Sequence, residues 1–549
     1  MRSYLRGTLL SLGALLLLGL AARAQEHQRS AAPSAGASVP LYANLGTLHR
    51  SVASKSPRAR KYFDQGLRLA YAFNAAEAIA SFTEATRLDP GCAMCYWGIA
   101  YALGPNVNVP MEASSAEPAY RLSTGETPRN RALMQATAKR YAPDPAPSPS
   151  DRAPLDSAYA TALQQVAAQY PADPDVAALY AESIMLLSPW NYWTRDLEPR
   201  PGTAELVSLL ARTVKTYPDH PGVCHLYIHA VEASTDPGRA LPCAERLAEL
   251  MPGAGHLVHM PAHIYIRVGM YAKAAEHNEH AVAVDEKYIQ DRSPSGVYPM
   301  MYYPHNIHFL WAATSMEGKS AEAIESARKV AAKVPPEVVS QLPPLEFVVP
   351  TPYYALARFG HWDEILNEPP PAPELRFTAG MWRYARGLAY AAKGRVDEAE
   401  AEQESVATAA GATPEEATVG INSAQALLRI ADRHLAAMIA VKRGKIDEGI
   451  AALRQAIELE DGLRYDEPPA WYLPIRQVLG GVLLQADRPQ EAEVAYREDL
   501  RRNPENGWSL YGLAQCLRSQ GRNGEAATVD ADFKRAWAAS DVGSPLGMN

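Results

Sequence analysis

The chain of 549 residues predicts an all-α fold, an α-solenoid of stacked antiparallel helix hairpins, and three observations lead there. From Pro57 onward, apolar residues and alanines recur at intervals of three and four, the period of a helix with one buried face. Small residues, an aromatic and a closing proline return in the same order along the chain. Single glycines at Gly269, Gly318, Gly360, Gly394, Gly444 and Gly521 mark the turns before second helices.

Composition bounds the rest. A hydrophobic content of 47% in a chain of this length suits an ordered interior and excludes disorder as the dominant state. With 53 basic and 61 acidic residues the net charge is -8, so nucleic acid is not an expected partner.

In chain order, Arg2 and Arg6 precede an apolar run from Leu9 to Ala22, and Ala22-Arg23-Ala24 supplies small residues at the -3 and -1 places. Residues 1–24 therefore read as a secretory signal peptide cleaved after Ala24, which predicts a periplasmic or secreted protein. Nothing later is long and apolar enough to span a membrane. Residues 25–55, rich in Ala, Ser and Pro, read as a flexible leader, and the helical array occupies 56–549.

The first hairpin carries Gly66, Ala78, Phe82, Ala85 and Pro90, the last four within AIASFTEATRLDP. These stand where a tetratricopeptide repeat has Gly, Ala, an aromatic, Ala and Pro, and the chain resembles that family. The small residues let two helices approach, the aromatic fills the gap to the next hairpin, and proline stops the second helix. The frame returns at Gly387 with Ala399, and at Gly480 with Ala492, Tyr496 and Pro504, followed by a last helix pair from Trp508 to Trp537. More worn copies carry Ala240, Ala244 and Pro252, then Gly269, Ala274 and Ala281, then Ala323, Ala327 and Pro335. The count is about nine or ten hairpins, enough for neighbours to bury a continuous core.

A proline-rich insert at 105–154 and an aromatic loop at 190–202 interrupt the array, with shorter breaks at 298–304 and 368–373. Inserted loops of a solenoid gather on one face, so the first three are expected to border a central groove.

Seven of fourteen histidines define that groove: His225 and His229 in HLYIH, His256, His259 and His263 in HLVHMPAH, and His305 and His308 in HNIH. His225 to His259 and His229 to His263 are each one 34-residue repeat apart, and His256 to His305 and His259 to His308 are both 49 apart. Within each segment the spacing is three or four, which sets two imidazoles on one helix face. Neutral imidazole suits Zn, Cu or Fe rather than Ca or Mg. Superposed frames add Glu182 and Glu232 as candidate general bases, with Arg267, Tyr302 and Tyr303 as groove residues. His277 and His280 fall on a second helix and face away.

Five cysteines leave at least one unpaired. Cys92 and Cys95 form a CxxC read as a local disulfide or two buried thiols, without the following histidine of haem attachment. Cys224 and Cys243 lie on the two helices of one hairpin, a geometry that allows pairing. No HExxH, GxSxG or GxxxxGK[ST] motif is present.

The sequence thus predicts an exported solenoid whose concave face holds a transition metal or other ligand, with metal-dependent hydrolysis or oxidation as the enzymatic form of that reading. Two alternatives stand beside it. One is a non-enzymatic scaffold of the envelope binding a peptide or protein. The other is metal storage or delivery without turnover.

Overall fold

The computed structural model describes residues 39–108, 126–141 and 149–545. The signal sequence, residues 25–38 of the leader, and residues 109–125 and 142–148 of the proline-rich insert lie outside the described residues. By its contacts the chain divides into two units, Met1–Ile264 with His280–Tyr303, and Tyr265–Glu279 with Pro304–Asn549.

The helices of the first unit begin where the sequence supplies a cap. In α1 (Pro57–Tyr71), Ser56 Oγ accepts the Ala59 N–H and Pro57 takes the first helical position, where a missing N–H is harmless. The same device, a capping side chain followed by proline, starts three later helices. After α2 (Ala75–Leu88) and α3 (Ala93–Leu103), Thr127-Pro128 opens α4 (Pro128–Ala138). After α5 (Pro149–Gln169), Asp173-Pro174 opens α6 (Pro174–Leu186), and after α7 (Thr203–Thr216), His220-Pro221 opens α8 (Pro221–Val231). Helices α9 (Leu241–Leu250) and α10 (Gly255–His259) follow, then α11 (Pro261–Arg267) and α12 (Tyr271–Arg292), each divided between the two units.

Sequential helices pack as neighbours from α1 to α10, with α1 against α3 and α6 against α8 as the first-helix contacts of a hairpin stack. One contact departs from a simple stack: α1 also packs on α8. Gly222 permits it, because a Cβ there would lie 2.8 Å from the Tyr71 ring. A polar cluster secures it. Buried Asp175 accepts from Tyr71 Oη at 2.7 Å, pairs with Arg50 at 3.3 Å and lies 3.2 Å from His220 Nε2. Covered on so many sides, α8 is buried along its whole length, Pro221 to Val231.

The second unit continues the alternation in α13 (Tyr303–Glu317), α14 (Ser320–Ala332), α15 (Pro336–Gln341), α16 (Thr351–Arg358), α17 (Trp362–Asn367), α18 (Arg376–Ala392) and α19 (Val396–Ala412). A short ribbon, β1 (Thr418–Val419) with β2 (Asn422–Ser423), pairs Thr418 with Ser423 and Val419 with Asn422. Then come α20 (Ala424–Lys442), α21 (Ile446–Asp461), α22 (Ile475–Gln485), α23 (Pro489–Arg502), α24 (Gly507–Ser519) and α25 (Asn523–Ala536). From α16 to α25 each helix packs on the next, α19 meeting α20 across the ribbon-bearing junction, and α18 meets α20 as α22 meets α24. This is the tetratricopeptide-like arrangement expected.

One packing motif explains the recurrent residues. Phe82 is wedged between Gly66 and Gly98, sixteen residues to either side, and a Cβ at those glycines would meet its ring at 2.7 and 2.4 Å. Tyr496 sits in the same way between Gly480 and Gly512, at 2.5 and 2.2 Å. The aromatic belongs to a second helix, and the glycines to the first helices on both sides of it.

One expectation is corrected. The segment read as leader is packed from residue 39 onward: Leu45 and Val52 are buried, and Val39 O accepts from Tyr62 Oη at 2.7 Å. The described part of the 105–154 insert holds one short helix, α4, and the start of α5. The loop at 190–202 is ordered by a Trp193–Pro199 bridge and by Trp193 Nε1 donating to Ala230 O at 2.9 Å. Cys92 and Cys95 form a disulfide, while Cys224, Cys243 and Cys516 are buried free thiols. No described helix is long and apolar enough to cross a membrane.

Overpacking these wedges should lower stability. Gly98→Ala and Gly512→Ala are each expected to cost about 1–3 kcal/mol. Gly524→Ala, where a Cβ meets nothing within 4 Å, should stay within about 0.5 kcal/mol of the parent, all three read by urea denaturation.

Candidate metal centre

Because α8 is buried on every side, each polar group on it needs a partner inside the protein. His225 Nδ1 lies 2.7 Å from the Tyr71 carbonyl, at the end of α1, where a carbonyl has no intrahelical N–H. A carbonyl only accepts, so Nδ1 carries the proton and Nε2 is a bare lone pair. One turn on, His229 Nδ1 lies 3.0 Å from Glu232 Oε1, and the other carboxylate oxygen, Oε2, bonds His263 Nδ1. Burial pushes the Glu232 carboxyl up, but His263 and His229 outweigh it and hold the group well below its usual range. An ionised carboxylate accepts from the neutral His229 ring, so His229 also presents an unprotonated Nε2 atom.

The rings form one continuous group. Centroids are 4.9 Å apart for His225 and His229, 5.0 Å for His225 and His256, 5.3 Å for His229 and His263, and 5.8 Å for His256 and His259. His259 Nε2 lies 2.8 Å from His263 Nε2. This contact joins residues four apart across Pro261, where α10 ends and α11 begins.

Ligand atoms of His225, His229 and His256 lie within 4.8 Å of one another, as do those of His229, Glu232 and His263. Three nitrogens about 2.0 Å from one ion stand about 3.3–3.5 Å apart, so small side-chain rotations close the first triangle on an ion. Without one, the triangle is costly. His225 Nε2 and His229 Nε2 are buried and accept no hydrogen bond among the described residues. Each such atom is worth about 1–3 kcal/mol of unrelieved desolvation. Burial also pushes the pKa of both rings down, well down for His225, where His229 adds to the effect. They stay neutral and available as ligands.

Aromatic rings enclose the triangle. Phe73 lies 4.3 Å from His225, 6.2 Å from His229 and 5.7 Å from His256, centroid to centroid. Trp190 stands edge-on to His229 at 5.0 Å, and Tyr302 is 4.7 Å from His256. Asn108 ties two of these together, accepting from Trp190 Nε1 and donating to Tyr302 Oη, both at 3.1 Å. Asn108, Trp190 and Tyr302 come from the three breaks expected to border the groove. The main chain at Phe73 has φ 57° and at Trp190 φ 58°, a left-handed conformation that bulky side chains rarely adopt.

Sequence reasoning located His225, His229, His256, His259, His263 and Tyr302 at this place, and several roles change. Both oxygens of Glu232, expected as a candidate general base, are engaged by imidazole nitrogens. Glu182 is in none of the possible ligand groups among the described residues. It accepts from Tyr101 Oη at 2.9 Å, and burial, partly offset by Arg140, raises its pKa. His305 and His308 belong to the second unit. There His305 packs on Phe309 and His308 lies flat on Trp311 at 4.8 Å. A separation of three on a helix leaves two side chains about 60° apart, enough to send them into different surroundings. Arg267, also in the second unit, covers the Tyr465 ring and donates to the Arg502 carbonyl, while Tyr303 donates to Glu286 at 2.8 Å.

Phe73 was missed, although the signal was there. It occupies the hairpin turn that later units fill with glycine at φ 71–79°, at Gly269, Gly318, Gly360, Gly394, Gly444 and Gly521. A phenylalanine at a glycine position calls for a reason beyond the turn. Trp190 and Asn108 lay in segments recognised only as loops.

His308 supplies a pH test. Burial pushes its pKa down to about 3, so the folded state refuses a proton that the unfolded chain takes below about 6.5. Its contribution to stability is complete above 6.5 and is lost as pH falls from there toward 3. His308→Phe, which keeps the stack on Trp311, should therefore gain about 2 kcal/mol on the parent between pH 7.5 and pH 5, read by urea denaturation at both values.

No protein-family model matches the chain, and no curated protein is similar to it. Among solved structures, the human IFIT1 dimer with PPP-AAAA is 13% identical, over 88% of this chain and 92% of that one, with a TM-score of 0.32. The APC/C hetero-tetramer Cut9-Hcn1 is 13% identical, over 84% and 76%, with a TM-score of 0.29. These are distant likenesses, and the fold rests on the helix pairing itself.

Proposed function

We propose that this is an exported, tetratricopeptide-like protein that binds a transition-metal ion in its first unit, with His225, His229 and His256 as ligands and Glu232 holding the His229 and His263 rings. The observation that carries the reading is the pair of buried Nε2 lone pairs on His225 and His229, which converge with no hydrogen of the described residues between them. Like partial charges facing each other in a buried, aromatic-lined place are relieved by a cation, or by a donor set between them. Imidazole nitrogens select zinc, copper or iron over the oxygen-seeking calcium and magnesium. A position left open on the ion would extend the reading to metal-dependent hydrolysis or oxidation of a small molecule, and a closed one to storage or delivery. Export rests on the basic, apolar and small-residue order of residues 1–24.

The stacked-hairpin architecture favours a second reading, a scaffold that binds a peptide or protein in the envelope. Elemental analysis of the tag-free protein separates the two. Close to one equivalent of Zn, Cu or Fe is expected, and His225→Ala with His229→Ala should remove it while far-ultraviolet circular dichroism stays unchanged. Metal-free protein that also fails to take up any of the three ions would leave only the scaffold. Glu232→Gln, which keeps the shape and loses the charge, should weaken retention by about 10–100-fold, the range for loss of an orienting partner.

A further inference from the structure

We infer that the ion this centre is built for is monovalent copper. The inference rests on the metal-binding reading above and goes on to specify the charge and coordination number of the guest.

Charge is the first argument. Imidazole binds a metal ion as the neutral ring, and the carboxylate placed beside the triangle is that of Glu232, on His229 Nδ1. One negative charge offsets one positive charge. A cuprous ion leaves the buried centre neutral, whereas a divalent ion leaves a net positive charge in a low-dielectric interior, which is strongly unfavourable without a further anion.

Coordination is the second. Zinc in a three-histidine site completes a tetrahedron with water, hydroxide or a fourth side chain. Here the Phe73 ring lies against all three imidazoles, and both oxygens of Glu232 are engaged by the Nδ1 atoms of His229 and His263. A d¹⁰ monovalent copper ion is satisfied by two or three nitrogens and needs no water. The third argument is the wall. Phe73, Trp190 and Tyr302 make a shell that excludes solvent, and such a shell favours the lower oxidation state because the more highly charged ion loses more hydration. Two of the three sit on left-handed backbone, strain that the fold accepts in order to place rings over the imidazoles.

The test is a competition on the tag-free, metal-stripped protein without oxygen, with bicinchoninate as the copper(I) competitor and mag-fura-2 as the zinc competitor. Copper(I) is expected to bind at one equivalent and at least about a hundredfold more tightly than zinc. Phe73→Gly removes the ring and relieves its backbone, so the chain should fold, and selectivity for copper(I) over zinc should fall by about tenfold or more. Zinc bound as tightly as copper(I), with His229→Ala abolishing both, would overturn the inference and leave the metal-binding reading intact. Failure of either ion to bind would overturn both.

Discussion

The burial of α8 on all its sides is the constraint from which the rest follows. A helix with no solvent face cannot leave imidazole N–H groups to water, so each must find an acceptor within the protein. His225 finds the orphan carbonyl at the end of α1, and His229 finds Glu232 in its own next turn. Once both Nδ1 protons are committed outward, both Nε2 lone pairs turn inward. The convergence is thus a consequence of satisfying hydrogen bonds elsewhere, and it requires α1 to lie on α8, which Gly222 and the Asp175 cluster secure.

Glu232 has an unusual share in this. One carboxylate, ionised although buried, sets the tautomer of His229 and bonds His263 on a different helix. Its two oxygens are the geometric link between His229 and His263, which the sequence places one repeat apart, so the periodicity of the stack is expressed chemically as a shared acceptor.

The aromatic enclosure shows where local preference yields to the site. Most later hairpins turn through glycine, as the left-handed region favours, and one through Asp487, yet the first turns through the bulkier Phe73. Trp190 repeats the exception in the loop after α6. Other non-glycine residues with positive φ are Leu197, Ser293, Asp487 and Glu505, and Phe73 and Trp190 are the two that place an aromatic ring against the imidazoles. A reading based on repeats registers Gly66, Phe82, Gly480 and Tyr496 because they recur; it passes over Phe73 because the residue matters by failing to recur.

By itself the sequence determined the helical class, the hairpin unit with its glycine–aromatic wedge, and the grouping of five imidazoles with Tyr302, because all of these follow from spacing along a chain of fixed rise and repeat. Tertiary structure decided which imidazoles come within ligand distance of one another, that His308 stacks on Trp311 in the second unit, that Glu182 turns to Tyr101, and that both oxygens of Glu232 bond imidazoles. Those outcomes depend on which atoms lack a partner after α1 closes on α8. That is a property of three-dimensional hydrogen-bond accounting, which a linear period does not contain.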